Sequence, residues 1–267
     1  MTLLQSGIAK PSSGYDIDQS LRFSGADSTE LTKTFSSAGS GKKWTLSCWT
    51  KRSELTTRLG HFMLLTASGQ PRGGCYWANT GEPNADGILV AWNGMATSVN
   101  LMTTPVFRDP SAWYHVVFIC DTTLATTGDR IQIWVNGSRI TDFETANYPN
   151  QDDVTSFSQT YAPTQVGASL DGYLAEYHFL DDIVATAADF GETNSKTNQW
   201  VPIEYDGSYG TNGFYQKYSA TELANSFTDS VLETTWTAPV GVTSVDYLVV
   251  GGGGGGGSSI SAPGTGY

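Results

Sequence analysis

The residues of this 267-residue chain that could do chemistry are three histidines, three cysteines and a scatter of loop aspartates. His61, His115 and His178 each fall inside a strand-like apolar pattern. A lone imidazole there is more often a packed or edge residue than a base. A serine nucleophile on a Gly-x-Ser-x-Gly elbow is absent. A retaining glycosidase needs two carboxyls about 5–5.5 Å apart. Glu176 has no carboxylate two residues away along its strand pattern, and Asp181 and Asp182 follow that strand's end and read as a turn. The glycine run Gly251 to Gly257 has no Gly-Lys-Ser/Thr ending and so is no phosphate loop. No catalytic residue is assigned, and the chain is expected not to be an enzyme.

Cys48, Cys75 and Cys120 are an odd number at wide spacing, with no Cys-x-x-Cys pair for zinc. Cys48 and Cys120, inside apolar strand patterns, read as small hydrophobes, which fits a protein assembled in a reducing cytoplasm. No metal ligand is assigned and no cofactor is expected. One exception stays open: Asp152, Asp153, Asp171, Asp181 and Asp182 are loop carboxylates, and Ca²⁺ takes about six to eight oxygens from such loops. The competing reading is that these acids are simply solvated. Trp77, Trp92 and Tyr148 stand in turn-like surroundings rich in Gly, Asn or Pro. They are candidate glycan-binding rings, since a flat aromatic stacks on a pyranose face; the competing reading is packing.

The elements that would position these residues are strands. Charged residues make up only 15% of the chain and aromatics 12%, and few stretches favour long helices. Trp44, Leu46 and Cys48 alternate with Thr45, Ser47 and Trp49, a period of two. His61 to Ala67, Gly87 to Trp92, Arg130 to Val135 and Asp171 to Leu180 read as further strands. Trp113 to Cys120 is apolar on both faces and reads as a central buried strand. Asn136-Gly137 between two strand patterns predicts a tight hairpin. A short helix can form near Val184 to Phe190. The fold class is therefore all-β: an antiparallel β-sandwich of jelly-roll type with an N-terminal arm and a C-terminal glycine-rich extension. The divisions are an arm at 1–20, the sandwich and its own extension at 21–218, a linker at 219–235 and the start of a glycine-rich domain at 236–267.

The formal net charge is −12, and residues 141–267 carry 16 acidic against 2 basic residues. Such a surface repels phosphate backbones, so no nucleic-acid partner is expected. No apolar stretch reaches about 18 residues, and no membrane insertion is expected. The N-terminus lacks the charged start and apolar run of a signal peptide. Release by lysis fits that pattern. The stop at Tyr267, inside low complexity, predicts that the natural chain continues.

The segments Ser20 to Phe23, Lys43 to Arg52, Trp113 to Val117, Ile133 to Gly137 and Gly172 to Phe179 resemble successive strands of concanavalin A-like, laminin-G-like jelly rolls. Phe190 to Thr193, Gln199 to Pro202 and Gly207 to Tyr215 are similar to the tail of a subfamily found in marine tailed-phage virion proteins. Trp236 to Pro239 and Val245 to Gly257 resemble the start of phage tail-fibre glycine-rich domains. The resemblance implies a virion structural protein, a tail-fibre or tail-spike subunit contributing to host attachment, located in the tail and made in the host cytoplasm. Capsid decoration, a head fibre or a glycan-binding receptor-recognition module is the alternative. The partners implied are other virion proteins (tail or adaptor proteins), further copies of the chain as a trimer, and host surface glycan. The calcium-ligand pattern of the laminin-G-like family has no residue-by-residue match here.

Overall fold

The alternation that begins at Trp44 runs through the ten residues of strand β3 (Lys43–Arg52). In the computed structural model, which describes residues 14–55, 60–65, 72–93, 98–161 and 163–219, Trp44, Leu46 and Cys48 are fully buried between two sheets. Thr45, Ser47 and Trp49 consequently point out of the other face.

The first sheet runs β1 (Leu21–Phe23), β13 (Gly172–Asp181), β3, β8 (Tyr114–Asp121), β9 (Ile131–Val135) and β10 (Ser138–Arg139), and β16 (Phe214–Gln216) also pairs with β13. The second runs β11 (Phe143–Asn147), β7 (Val99–Thr103), β6 (Ile88–Asn93), β5 (Arg72–Trp77), β4 (Gly60–Leu65), β12 (Thr164–Val166) and β2 (Leu31–Lys33). A separate hairpin joins β14 (Gly191–Thr193) to β15 (Trp200–Pro202). Pairing is antiparallel throughout. The sandwich expected from the periodicity is the observed fold. Its hairpin at Asn136-Gly137 has φ 48° and 75°, the left-handed pair that these residues tolerate.

Among the described residues the only helical pieces are 3₁₀ turns. The segment Val184 to Phe190 makes one of them, Ala187–Asp189, in which the Asp189 carboxylate accepts the Thr186 N–H at 2.6 Å. A longer helix has no room, because Phe190 is buried and β14 starts at the next residue.

One core lies between the sheets; a second, smaller one lies outside. Val117, Ile119, Leu180, Ala185, Ala187 and Phe190 form it on the outward face of the first sheet, beneath the chain that follows β13. This explains why β8 reads as apolar on both faces: it contributes side chains to two cores, as β13 also does. Cys48, Cys75 and Cys120 are free and buried, and burial pushes all three thiols up.

A buried ion pair ties the two sheets at one end. Arg52, at the end of β3, lies 2.8 Å from Asp86 in the loop before β6, and both side chains are almost wholly inaccessible. Arg52 also donates to the Phe107 carbonyl at 3.0 Å, and its guanidinium lies 5.2 Å from the Trp77 ring centroid. The more exposed Arg108 binds the second Asp86 oxygen at 3.0 Å.

Linker residues 220–235, the glycine-rich region at 236–267 and arm residues 1–13 lie outside the described residues. The chain divides into two units, Met1–Phe227 and Thr228–Tyr267.

Candidate functional site

The outward face of the first sheet gathers four buried polar side chains of the described residues that could react, Ser47, His115, Glu176 and His178. β3 presents Ser47 and Trp49 there, β8 presents His115, and β13 presents Ala175 and His178. Strict alternation would turn Glu176 into the core. Instead the register of β13 against β3 slips between Ala175 and His178, and Glu176 has φ 46°. This bulge inserts one residue and re-aims the carboxylate outward, so Tyr177 rather than Glu176 enters the main core.

Most polar groups in this cluster have a structural partner, while the buried Glu176 Oε1 has none among the described residues. The Trp200 indole donates to His115 Nδ1 at 2.9 Å, and an indole N–H can only donate. His115 therefore carries its proton on Nε2 and gives it to Ser47 Oγ at 2.9 Å. A general base would need the opposite polarity, with Nε2 free to take the serine proton. Burial, then the neighbouring His178, depresses His115 to a pKa of about 3. The ring is flanked by stacked Trp49 and Trp200 at centroid distances of 5.1 and 6.0 Å. Trp200 reaches it because Gly137, at φ 75°, leaves its ring room: a Cβ there would lie 2.3 Å from that ring.

Glu176 is 4% exposed. Its Oε2 accepts from Tyr15 at 2.6 Å and Tyr215 at 2.7 Å, and His178 Nε2 lies 3.8 Å away. Burial opposes the charge, but the neighbouring His178 and the bonds from Tyr15 and Tyr215 outweigh it and hold the carboxyl below the usual range. Burial keeps His178 low as well, despite Glu176, and its Nδ1 pairs with the Tyr209 hydroxyl at 2.9 Å. Burial and the bond to Glu176 raise Tyr15 to about 12.

Tyr15 thereby fastens the N-terminal segment to the sheet. The residues that follow it form one wall of an open groove of about 340 Å³, contributed by Ile17, Asp18, Gln19 and Ser20. Its other side is made by Trp49, Trp113, Ala175 and Pro202. Trp113 is 37% exposed, and its ring tilts against Tyr173 with centroids 6.3 Å apart. If Tyr15 is the fastening, Tyr15→Phe should cost about 1–2 kcal/mol, a charge-assisted hydrogen bond discounted for partial exposure. Hydrogen exchange should quicken across residues 16–20 and leave β3 and β8 unchanged; unaltered exchange in the segment would show that something else holds it.

The rings singled out by turn-like surroundings are elsewhere, and two of them must be corrected. Trp77 is 1% and Trp92 3% exposed; both belong to the main core. The neighbouring Asn and Gly residues mark where β5 and β6 end, while alternation turns both indoles inward. Trp77 packs on Phe62 and Phe107, and Trp92 edges onto Phe157. Tyr148 is half-buried, packed edge-on against Phe143 with centroids 6.4 Å apart, and does not line the groove. Trp113 was legible only as part of an apolar run; the turn Asp109 to Ser111 before it was the signal that the run starts at an edge.

The candidate calcium ligands serve separate contacts. Asp152 pairs with Lys42 at 3.1 Å, and Asp153 accepts the Asn150 N–H at 2.9 Å. Asp171 accepts the Gly25 N–H at 2.9 Å, Asp181 the Asn212 N–H at 3.2 Å, and Asp182 the Ser40 N–H at 3.3 Å. Among the described residues no three His, Cys, Asp or Glu side chains converge as metal ligands. His61, on the second sheet, bonds the Ala168 carbonyl at 2.9 Å and lies tilted against the Tyr76 ring, far from this cluster in the topology.

Residues 23–189 match the family model described as the concanavalin A-like lectin/glucanases superfamily, and residues 228–266 match that of a glycine-rich domain. No curated protein matches the chain. Several solved structures do. Domain 4 of an extracellular arabinanase from Geobacillus stearothermophilus is 15% identical with a TM-score of 0.42, covering 62% of this chain and 72% of that one. A pentraxin from Limulus polyphemus is 14% identical with a TM-score of 0.43, covering 76% and 94%. A tailspike protein of an Escherichia coli O157:H7 bacteriophage is 16% identical with a TM-score of 0.43, covering 64% of this chain but only 23% of the tailspike.

Proposed function

This chain belongs to the concanavalin A-like lectin/glucanases superfamily, and from that premise we propose that it is a non-catalytic attachment module of a tailed-phage tail fibre or tail spike. The observation that carries the reading is the coupling, in one chain, of a rigid sandwich to a glycine-rich domain. A sandwich of this kind offers a fixed surface, and repetition of that surface in an oligomer multiplies weak contacts without any bond being made or broken. A homotrimer fits the symmetry of fibres and spikes. The similarity of Phe190 to Tyr215 to tailed-phage virion proteins supports the same assignment. These residues are the strand, stacking rings and hairpin that cover the outward face of the first sheet.

The absence of catalysis is part of the proposal. It is supported by the polarity of the Ser47–His115 bond, which is wrong for a nucleophile. The groups bonded to Glu176 are two phenols, with an imidazole beside them, rather than a second carboxylate. The experiment is localisation. Gold-labelled antibody against the sandwich should decorate the tail of intact particles in negative stain. Label confined to the capsid would transfer the protein to head decoration, and unlabelled particles would remove it from the virion.

A further inference from the structure

We propose that the β14–β15 hairpin is an acid-operated latch on the outward face of the first sheet, held shut by neutral His115 and released when that imidazole takes up a second proton. Among the described residues the hairpin forms a two-stranded sheet of its own and shares no strand pairing with either sheet of the sandwich. Side chains hold it instead. Phe190, one residue before it, belongs to the small outer core, and Trp200 packs against that core. The Trp200 ring also lies on Gly137 of the β9–β10 turn and stacks on His115. Neither Phe190 nor Trp200 is part of the main core, so the hairpin can lift without parting the two sheets.

The polar tie is the indole N–H bonded to His115 Nδ1 at 2.9 Å, and it needs a bare nitrogen. In an imidazolium both ring nitrogens carry hydrogen. A protonated His115 therefore sets N–H against N–H at this contact, and turning the ring over changes nothing. It would also leave a charge buried between Trp49 and Trp200. The titratable groups that face it come from β13: His178, whose charge would repel, and Glu176, whose Oε2 is taken by Tyr15 and Tyr215. The groups from β3 and from the chain after β13 are neutral: Ser47, Trp49, Phe190, Pro202 and Ile203. From the β9–β10 turn, the Asn136 amide oxygen is bonded to the His115 backbone N–H. His178 is capped by Tyr209 and Tyr215, which lie beyond the hairpin, so His115 is the trigger. Lifting the hairpin frees its imidazole to titrate near 6.5, the usual value of about that size in water, whereas burial and His178 hold it at about 3 when shut. Between those values the open form binds more protons, and opening gains about tenfold per pH unit as pH falls. Opening lays bare the outer face of β8 at Val117 and Ile119 and removes Pro202 from the groove wall.

The latch does not depend on what the module attaches to. Hydrogen exchange of the full chain from pH 7 to pH 4, each rate divided by the intrinsic rate at that pH, reads the opening. Amides of residues 190–203 should open about tenfold more per unit below about pH 6.5, while β4, β5 and β6 of the second sheet stay far better protected at each pH. His115→Gln offers the indole an amide oxygen that does not titrate, so its hairpin opening should be nearly independent of pH. Trp200→Phe keeps a ring over the imidazole and removes the opposing N–H. Its hairpin should open more at pH 7 yet respond less steeply to acid, a change of slope that a purely structural role would not produce. It supplies the answer if the glutamine variant misfolds. Equal pH slopes in the parent and the folded variants, or a hairpin that exchanges only in step with the second sheet, overturns the latch.

Discussion

Asp86→Ala is expected to destabilise the protein by about 3–5 kcal/mol, the cost of stranding a buried charge. Arg52 is 3% exposed and cannot swing into water to replace its partner. It is held by the Phe107 carbonyl and lies against Trp77, so the guanidinium would stay in place without its countercharge. Arg108 would lose its partner too, but at 60% side-chain exposure it can be solvated. Asp86 also adopts φ 68°, a conformation alanine tolerates poorly, which adds to the loss. Urea unfolding of the single variant and of Asp86→Ala with Arg52→Met separates the terms. The double variant should recover a large part of the loss, because a pair replaced by apolar groups is often near neutral. A single-variant cost below about 1 kcal/mol, the range of exposed pairs, would mean that water reaches the bridge.

Acid is expected to unfold the sandwich earlier than its carboxylates alone would require. His115 is depressed to about 3 in the fold and titrates near 6.5 when unfolded. Between those values the unfolded chain holds more protons than the native one, so stability rises with pH there. The contribution is fully present above about pH 6.5 and is lost as pH falls toward 3, at up to about 1.4 kcal/mol per pH unit. Burial lowers His61 and His178 as well, and both add in the same direction. Glu176, held below the usual carboxylate range, adds a loss of the same sign that begins as pH falls through that ordinary range and is complete below its own folded value. Urea midpoints measured from pH 7 to pH 4 should fall steeply for the parent protein and less so for His115→Gln. Equal slopes for both would place the acid sensitivity elsewhere.

The sandwich was legible because long strands carry their period in plain view. Trp44 to Cys48 announced an inward face, and Asn136-Gly137 announced its hairpin by the left-handed conformations both residues accept. The three-residue strands β2 and β12 are too short to show a period, and Gly73 and Gly74 break the apolar pattern of β5. The site was less legible. Period alone sends Glu176 into the core, and only the bulge, a feature of backbone register, turns it toward Tyr15 and Tyr215. Those two tyrosines are 200 residues apart and meet through the fold. The choice of Trp77 and Trp92 failed for a related reason. Turn residues nearby indicate where a strand ends, whereas the direction of its last ring is set by the alternation before it.

The outward face of the first sheet unites these observations. Most of its polar side chains hold the N-terminal segment and the chain after β13, and beside them lies an open groove. An attachment module, as proposed, retains its ligand and leaves the ligand's bonds intact. The direct measurement is to incubate the full chain with surface polysaccharide from a susceptible host and to follow both co-sedimentation and new reducing ends in the same sample. Retention with no increase in reducing ends is the expected result; a steady release of reducing ends, abolished by Glu176→Gln, would contradict it.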